Sequence, residues 1–189
     1  GQRRRGNQPT YVWPKPWDTP TPAGDDTVWL SDDRADFVRG TYRDRYGKNV
    51  APGLVHTRAM VFVKPDYFLI LDTLTPADEA EHEYASLFHL DDGDADLDPA
   101  TLRISTKSVG KANVHLMPAL VPGLAVRVAK GEEDPVQGWA NGPWRAVPTA
   151  VYTLKGKGEV RLATLVYPTA PDMSCPVSGV QATSEKGST

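Results

Sequence analysis

The chain has 189 residues, enough for one domain with a single core, with or without a small appendage. Its net charge of −3 points to neither nucleic acid nor an anionic membrane, and the basic run Arg3-Arg4-Arg5 reads as a solvated tail. The single cysteine, Cys175, makes no internal disulfide and no cysteine-based zinc site, and no apolar run approaches the ~20 residues that cross a bilayer.

Residues 1–26 form a Pro-rich lead-in, with Tyr11, Trp13 and Trp17 set among Pro9, Pro14, Pro16, Pro20 and Pro22. Proline recurs too often there for a helix, so an extended segment is expected. Gly1 opens directly on polar sequence with no leader-like stretch, and the chain is expected to be an excised domain or processed fragment. Strand signals then follow at residues 27–30 and 35–42, and Tyr46-Gly47-Lys48-Asn49 reads as a turn.

The strongest pattern is a pair of apolar, β-branched runs, residues 54–63 and 67–72, around Lys64-Pro65-Asp66. It predicts a central antiparallel hairpin covered on both faces. Residues 81–90 predict a third long strand, followed by an acidic loop from Asp91 to Asp98. Shorter strands are expected at 102–106, 112–117 and 124–129, then a loop over 130–144 carrying Trp139 and Trp144. Residues 147–154 and 159–167 read as a hairpin around Gly156-Lys157-Gly158, and 177–182 as a short strand in the tail. About ten strand signals with no helical periodicity predict an all-β, antiparallel β-sandwich over residues 27–170, with a partly disordered tail at 171–189.

Four residue groups could carry chemistry. Alternation along a strand puts His56 and Arg58 on one face, and His82 with Tyr84, Ser86 and Phe88 on another. His89 falls opposite His82, so one regular strand cannot aim both at one metal ion, and any metal site would be assembled across strands. Asp72 could join His56 and Arg58 in a register-fixing polar cluster. A two-residue turn would set Arg58 against Thr73 instead, but proline suits neither position of such a turn, and a longer loop is expected. The acidic run lacks the spacing of a calcium-binding helix–loop–helix motif and is expected to be solvated. Trp13, Trp17, Trp139 and Trp144, all in expected loops, are either anchors buried against the sandwich or rings that stack on sugars. No Gly-x-Ser-x-Gly or phosphate-cradling loop is present.

The segments His56-Thr57-Arg58, Phe62-Val63-Lys64-Pro65-Asp66-Tyr67 and Leu69-Ile70-Leu71-Asp72, in that order, resemble the β-sheet domain of the heparinase II/III-like polysaccharide lyases. His82 and the ending Leu87-Phe88-His89-Leu90 fit the same pattern, as do residues 42–46. Gly1-Gln2 is similar to the tail of the family's segment valine–aspartate–glycine–x–glutamine. The resemblance implies a helical toroid followed by an antiparallel sandwich, acting on uronic-acid-containing polysaccharides by β-elimination. That chemistry needs a base for the C5 proton, a group to neutralise the neighbouring carboxylate and an acid for the leaving oxygen. In the family these are Tyr, His, Asn or Arg residues, mostly on the toroid, and zinc is often held by His-x-His, Asp-Pro-Gly and His-Asn-Thr motifs.

This sequence has none of those three motifs. No catalytic residue or zinc ligand is carried over, and His56, Arg58 and His89 are the nearest catalytic candidates; the positions matched by His56, Arg58 and Asp72 read as structural. The resemblance therefore implies the later portion of a lyase's sheet domain, inactive alone. Its implied partners are the toroid and an acidic polysaccharide, with zinc possible only in the intact, periplasmic or secreted enzyme. The alternative is a free-standing carbohydrate-binding or structural sandwich.

Overall fold

The structure, a computed structural model, describes residues 27–43, 53–91, 93–140 and 144–183. Every regular element among them is a strand: β1 (Val28–Ser31), β2 (Ala35–Tyr42), β3 (Val55–Val63), β4 (Tyr67–Thr75), β5 (Glu81–His89), β6 (Ala95–Asp98), β7 (Arg103–Thr106), β8 (Asn113–Pro118), β9 (Ala125–Ala129), β10 (Glu132–Glu133), β11 (Val136–Gln137), β12 (Trp139–Ala140), β13 (Arg145–Ala146), β14 (Thr149–Lys157) and β15 (Val160–Thr169). All pair antiparallel. An eight-stranded sheet has the order β1-β2-β3-β4-β15-β8-β7-β6, and a three-stranded sheet has the order β5-β14-β9. Two two-residue ribbons, β10-β11 and β12-β13, lie between β9 and β14 in the chain. The expected all-β, antiparallel sandwich is what the chain forms.

The core lies where the small sheet covers the large one. Tyr84 and Leu154 from the small sheet meet Val160 and Leu162 on β15, with Leu74 of β4 packed beside them. Ala150 and Tyr152 of β14 meet Ile104 on β7 and Leu116 on β8. The Tyr152 hydroxyl also donates across the gap toward the Leu102 carbonyl at 3.2 Å. Fully burying such a side chain contributes roughly 1.5–3 kcal/mol, so this region anchors the domain.

Directly opposed residues in antiparallel strands share a face, and one row on the inner face of the large sheet runs Trp29, Val38, Met60, Ile70, Thr164 and Pro118. Thr164, near one end, is 5% exposed, and Trp29 at the other end is 68% exposed. The three strands of the small sheet are too few to roof eight, and β1–β3 are left without an opposing layer among the described residues. The expected hairpin β3–β4 is thus central in sheet order but not covered on both faces: its residues are mostly half-buried, and Leu71 on the outer face is exposed.

Four local expectations are corrected. β14 and β15 are not a hairpin. β14 pairs with β5 and β9, whereas β15 pairs with β4 and β8, so the turn at Gly158 (φ +67°) carries the chain from one sheet to the other. Apolar alternation specifies an inward face but not which sheet a strand joins. Residues 130–144 are not simply a loop, because short ribbons form there around the turn at Asp134-Pro135 and across the segment between Trp139 and Arg145. The acidic run is not loop throughout: Ala95–Asp98 pairs with β7 as an edge strand, and Asp98 accepts hydrogen bonds from the Ala100 amide (2.9 Å) and the Thr101 hydroxyl (2.8 Å) in the following turn. Residues 177–182 form no strand; the tail instead passes alongside Met117 and Pro118. The expected turn at residues 46–49 lies outside the described residues.

Candidate functional site

The β3–β4 loop decides which polar groups meet. It holds three residues, Lys64-Pro65-Asp66, between Val63 and its partner Tyr67. Counting back along the ladder, Arg58 stands opposite Asp72 and His56 opposite Leu74, on the inner face. Asp72 receives two bonds from Arg58, Nε to Oδ1 at 2.7 Å and Nη2 to Oδ2 at 2.9 Å, and His56 Nε2 lies 2.7 Å from Oδ1. An ionised carboxylate only accepts, so His56 carries its proton on Nε2 here. This fork geometry is the strongest form of arginine–carboxylate contact.

Asp72 is 4% exposed. Its burial by itself would raise the carboxyl pKa; the bonds and charges of Arg58 and His56 outweigh that and hold it below its ordinary value of 3.8. Asp72 is therefore an anion locked by its neighbours, a poor proton acceptor near neutral pH. The cluster lines an open cleft of about 420 Å³ between β3–β4 and β5, with Leu54, Glu83 and Leu87 among its other walls. Gly40 continues the Arg58–Asp72 row on β2, and a Cβ there would meet nothing within 4 Å. The row therefore opens sideways toward the uncovered half of the sheet.

His89 is not part of this cluster. It stands at the far end of β5, where Nδ1 meets the buried Thr149 hydroxyl at 3.2 Å and Nε2 lies 3.5 Å from Gln137 Nε2. It lines a different cleft, of about 530 Å³, with Asp91, Ser108 and Lys111. His82 bonds Asp78 at 2.6 Å. His115 is held between Ser105 (2.8 Å) and Thr169 (3.3 Å), and burial with the nearby Arg103 charge lowers its pKa. Among the described residues no three His, Cys, Asp or Glu side chains converge as a metal site would require.

Of the four candidate tryptophans, Trp13 and Trp17 lie outside the described residues. Trp139 and Trp144 come together: their rings stack at 5.1 Å between centroids with 11° between planes. Trp139 is half-buried and its indole N–H donates to the Glu132 carbonyl at 2.8 Å, while Trp144 is 62% exposed. The sequence signal for this pair was two tryptophans five residues apart in an expected loop. A feature without such a signal is the hydroxyl of Tyr84, which is buried with no hydrogen-bond partner among the described residues.

The small sheet also ends on an unpaired strand. β5 bonds β14 along one edge, Glu81 to His89, and no described strand occupies its other edge. Both clefts open along that strand, and the bare inner face of β1–β3 lies beyond it.

Comparison with known proteins gives a consistent result. Residues 10–165 match the family model described as Heparinase II/III-like, C-terminal. No curated relative matches the sequence. Among solved structures, heparan sulfate lyase HepC from Pedobacter heparinus superposes with a TM-score of 0.62 at 19% identity, covering 78% of this chain and 22% of that one. The heparinase III BT4657 gene product gives 0.59 at 16% identity, covering 77% and 21%. A further heparinase III structure gives 0.57 at 14% identity, covering 77% and 22%. At these identities the likeness is one of fold, and the chain spans about a fifth of the length of each structure it matches.

Proposed function

The chain belongs to the heparinase II/III-like family, as a C-terminal part of its enzymes, and from that membership we propose that it is the later portion of the sheet domain of a polysaccharide lyase that performs β-elimination on uronic-acid-containing chains. In this reading it supports the catalytic region and helps wall the substrate cleft, and alone it does not turn over substrate. The base, the carboxylate-neutralising group, the acid and any zinc ion belong to the remainder of the enzyme, including its helical toroid. The intact enzyme acts in the periplasm or outside the cell.

One observation carries the reading: among the described residues the sandwich is half-roofed. A nine-residue edge strand with one free edge and an apolar sheet face beside it would be an aggregation hazard in a finished domain. Both are accounted for if strands of the same enzyme continue the small sheet from β5 and lie over β3, β2 and β1. The Arg58–Asp72–His56 cluster would then sit beneath that junction, fixing the register of the two strands that form its floor. Asp72, already neutralised by its own neighbours, suits that structural role better than proton transfer.

The test is reconstitution. The purified chain, the enzyme lacking these residues and the joined polypeptide are assayed by the ultraviolet absorbance of unsaturated uronide products. Activity is expected only in the joined form, with hydrogen exchange at β3 and β5 slowed there relative to the chain alone. Turnover by the isolated chain that disappears in His56→Ala or His89→Ala would overturn the reading, as would full activity without the chain.

A further inference from the structure

The stacked pair Trp139–Trp144 lies apart from the cluster and cleft used above. It stands on the β12–β13 ribbon, beyond β9 and β14, and it is built rather than incidental. Gly131 lets the second ribbon settle onto the first: a Cβ at that position would meet Ala146 at 3.1 Å and the Trp139 ring at 3.6 Å. The amide of Gly131 and that of Val147 both donate to the Gly138 carbonyl at 2.9 Å, closing the base of the module. Trp139 is then fixed by its N–H bond to Glu132, and Trp144 lies flat upon it, leaving most of its own ring to water. A large apolar ring held rigid in solvent loses little freedom on binding. Trp29, with similar exposure, has no ring stacked on it among the described residues and lies at the edge of the large sheet.

The surrounding charges say what such a surface can recognise. Arg127 bonds Glu132, Lys130 bonds Asp94 and the Gly93 carbonyl, and Arg145 bonds Asp91 at 3.0 Å. Each of these three cations is thus matched to an acidic side chain, and Glu133 and Asp134 add further negative charge on the β10–β11 ribbon. Among the described residues the surface offers a flat aromatic face whose three neighbouring cations are already neutralised, a poor match for a sulfate or carboxylate.

We propose that Trp144, seated on Trp139, is a stacking platform for one pyranose ring of a polysaccharide, which it recognises by the apolar C–H face of the ring and not by its charge. The proposal takes its ligand class from the reading of the chain as part of a polysaccharide lyase. It adds a contact outside the cleft, one that holds a chain by shape while charge-reading groups elsewhere in the enzyme act on it.

The test uses cellohexaose, which is neutral, and a hyaluronan hexasaccharide, which is acidic, in titrations followed by tryptophan fluorescence at low and high salt. Both sugars give a saturable change, with midpoints within about threefold of each other and moved less than about twofold by salt, since screening acts on charge contacts. Trp144→Ala weakens binding by about tenfold or more, the scale of one ring-stacking contact, and removes the coupled-indole band in the circular dichroism spectrum; Trp29→Ala changes neither. In the whole enzyme, oxidation of Trp144 by N-bromosuccinimide, read by mass spectrometry, is slowed by cellohexaose. The proposal is overturned by no saturable change with either sugar, by binding that Trp144→Ala leaves intact, by binding of the acidic sugar alone that fades with salt, or by a Trp144 already shielded in the whole enzyme without sugar. None of these readouts uses lyase activity, so the reconstitution result stands or falls separately.

Discussion

The large sheet has two halves of similar composition and different fates. Under the small sheet, β15, β8 and β7 bury Leu162, Leu116 and Ile104 almost completely. Past β4, strands equally rich in apolar and β-branched residues carry Val38, Met60 and Phe62 half-buried and Trp29 and Tyr42 exposed. Phe62 stacks on Phe68 at 4.3 Å, so the bare half organises its own surface, but nothing described lies over it. Burial, not strand propensity, separates the halves. A strand can form on local pattern alone, yet its contribution to stability depends on what covers it.

That contrast can be broken by substitution. Ile104→Ala, at a position with no exposure, is expected to cost about 2–5 kcal/mol in denaturant unfolding. Met60→Ala in the bare half should cost less than about 1.5 kcal/mol in the chain alone and markedly more once the remainder of the enzyme is joined. Equal costs in the isolated chain would mean the bare half is already covered.

The Asp72 cluster sits at the boundary. Asp72→Asn removes the Asp72 carboxylate from the cluster and is expected to cost about 2–3 kcal/mol, below the range for a fully buried pair because the Arg58 side chain is 44% exposed. The pH dependence follows from the direction of the shift. A carboxyl whose folded pKa lies below 3.8 contributes stability that is complete above that value and is lost as pH falls through the lower, folded one. Unfolding midpoints measured below about pH 4 should therefore fall more steeply in the parent chain than in Asp72→Asn.

The smallest effect concerns Tyr84, on the covered side. Its hydroxyl is buried with no partner among the described residues, so Tyr84→Phe is expected to leave stability unchanged or raise it by about 1 kcal/mol. A loss of that size would reveal an acceptor.

Much of this was legible because strand periodicity is local. The alternation through β5 correctly placed His82, Tyr84, Ser86 and Phe88 on one face and His89 on the other. Pro65 correctly argued for a loop longer than two residues, and a three-residue loop is what sets Arg58 against Asp72. The five-residue spacing of Trp139 and Trp144 hinted at a pair, but their stacking was not readable from it, since it depends on two ribbons seating on one another at Gly131.

The sequence by itself determined the all-β class, most strand positions, the alternation of faces along β5 and the family pattern, because each of these rests on spacing within a few residues or on ordered motifs. Only the tertiary structure decided that β14 and β15 part into different sheets, that His56, Arg58 and Asp72 meet, and that three strands are left to roof eight. Those outcomes turn on pairings between residues far apart in the chain, and a period of two looks the same whichever neighbour a strand takes.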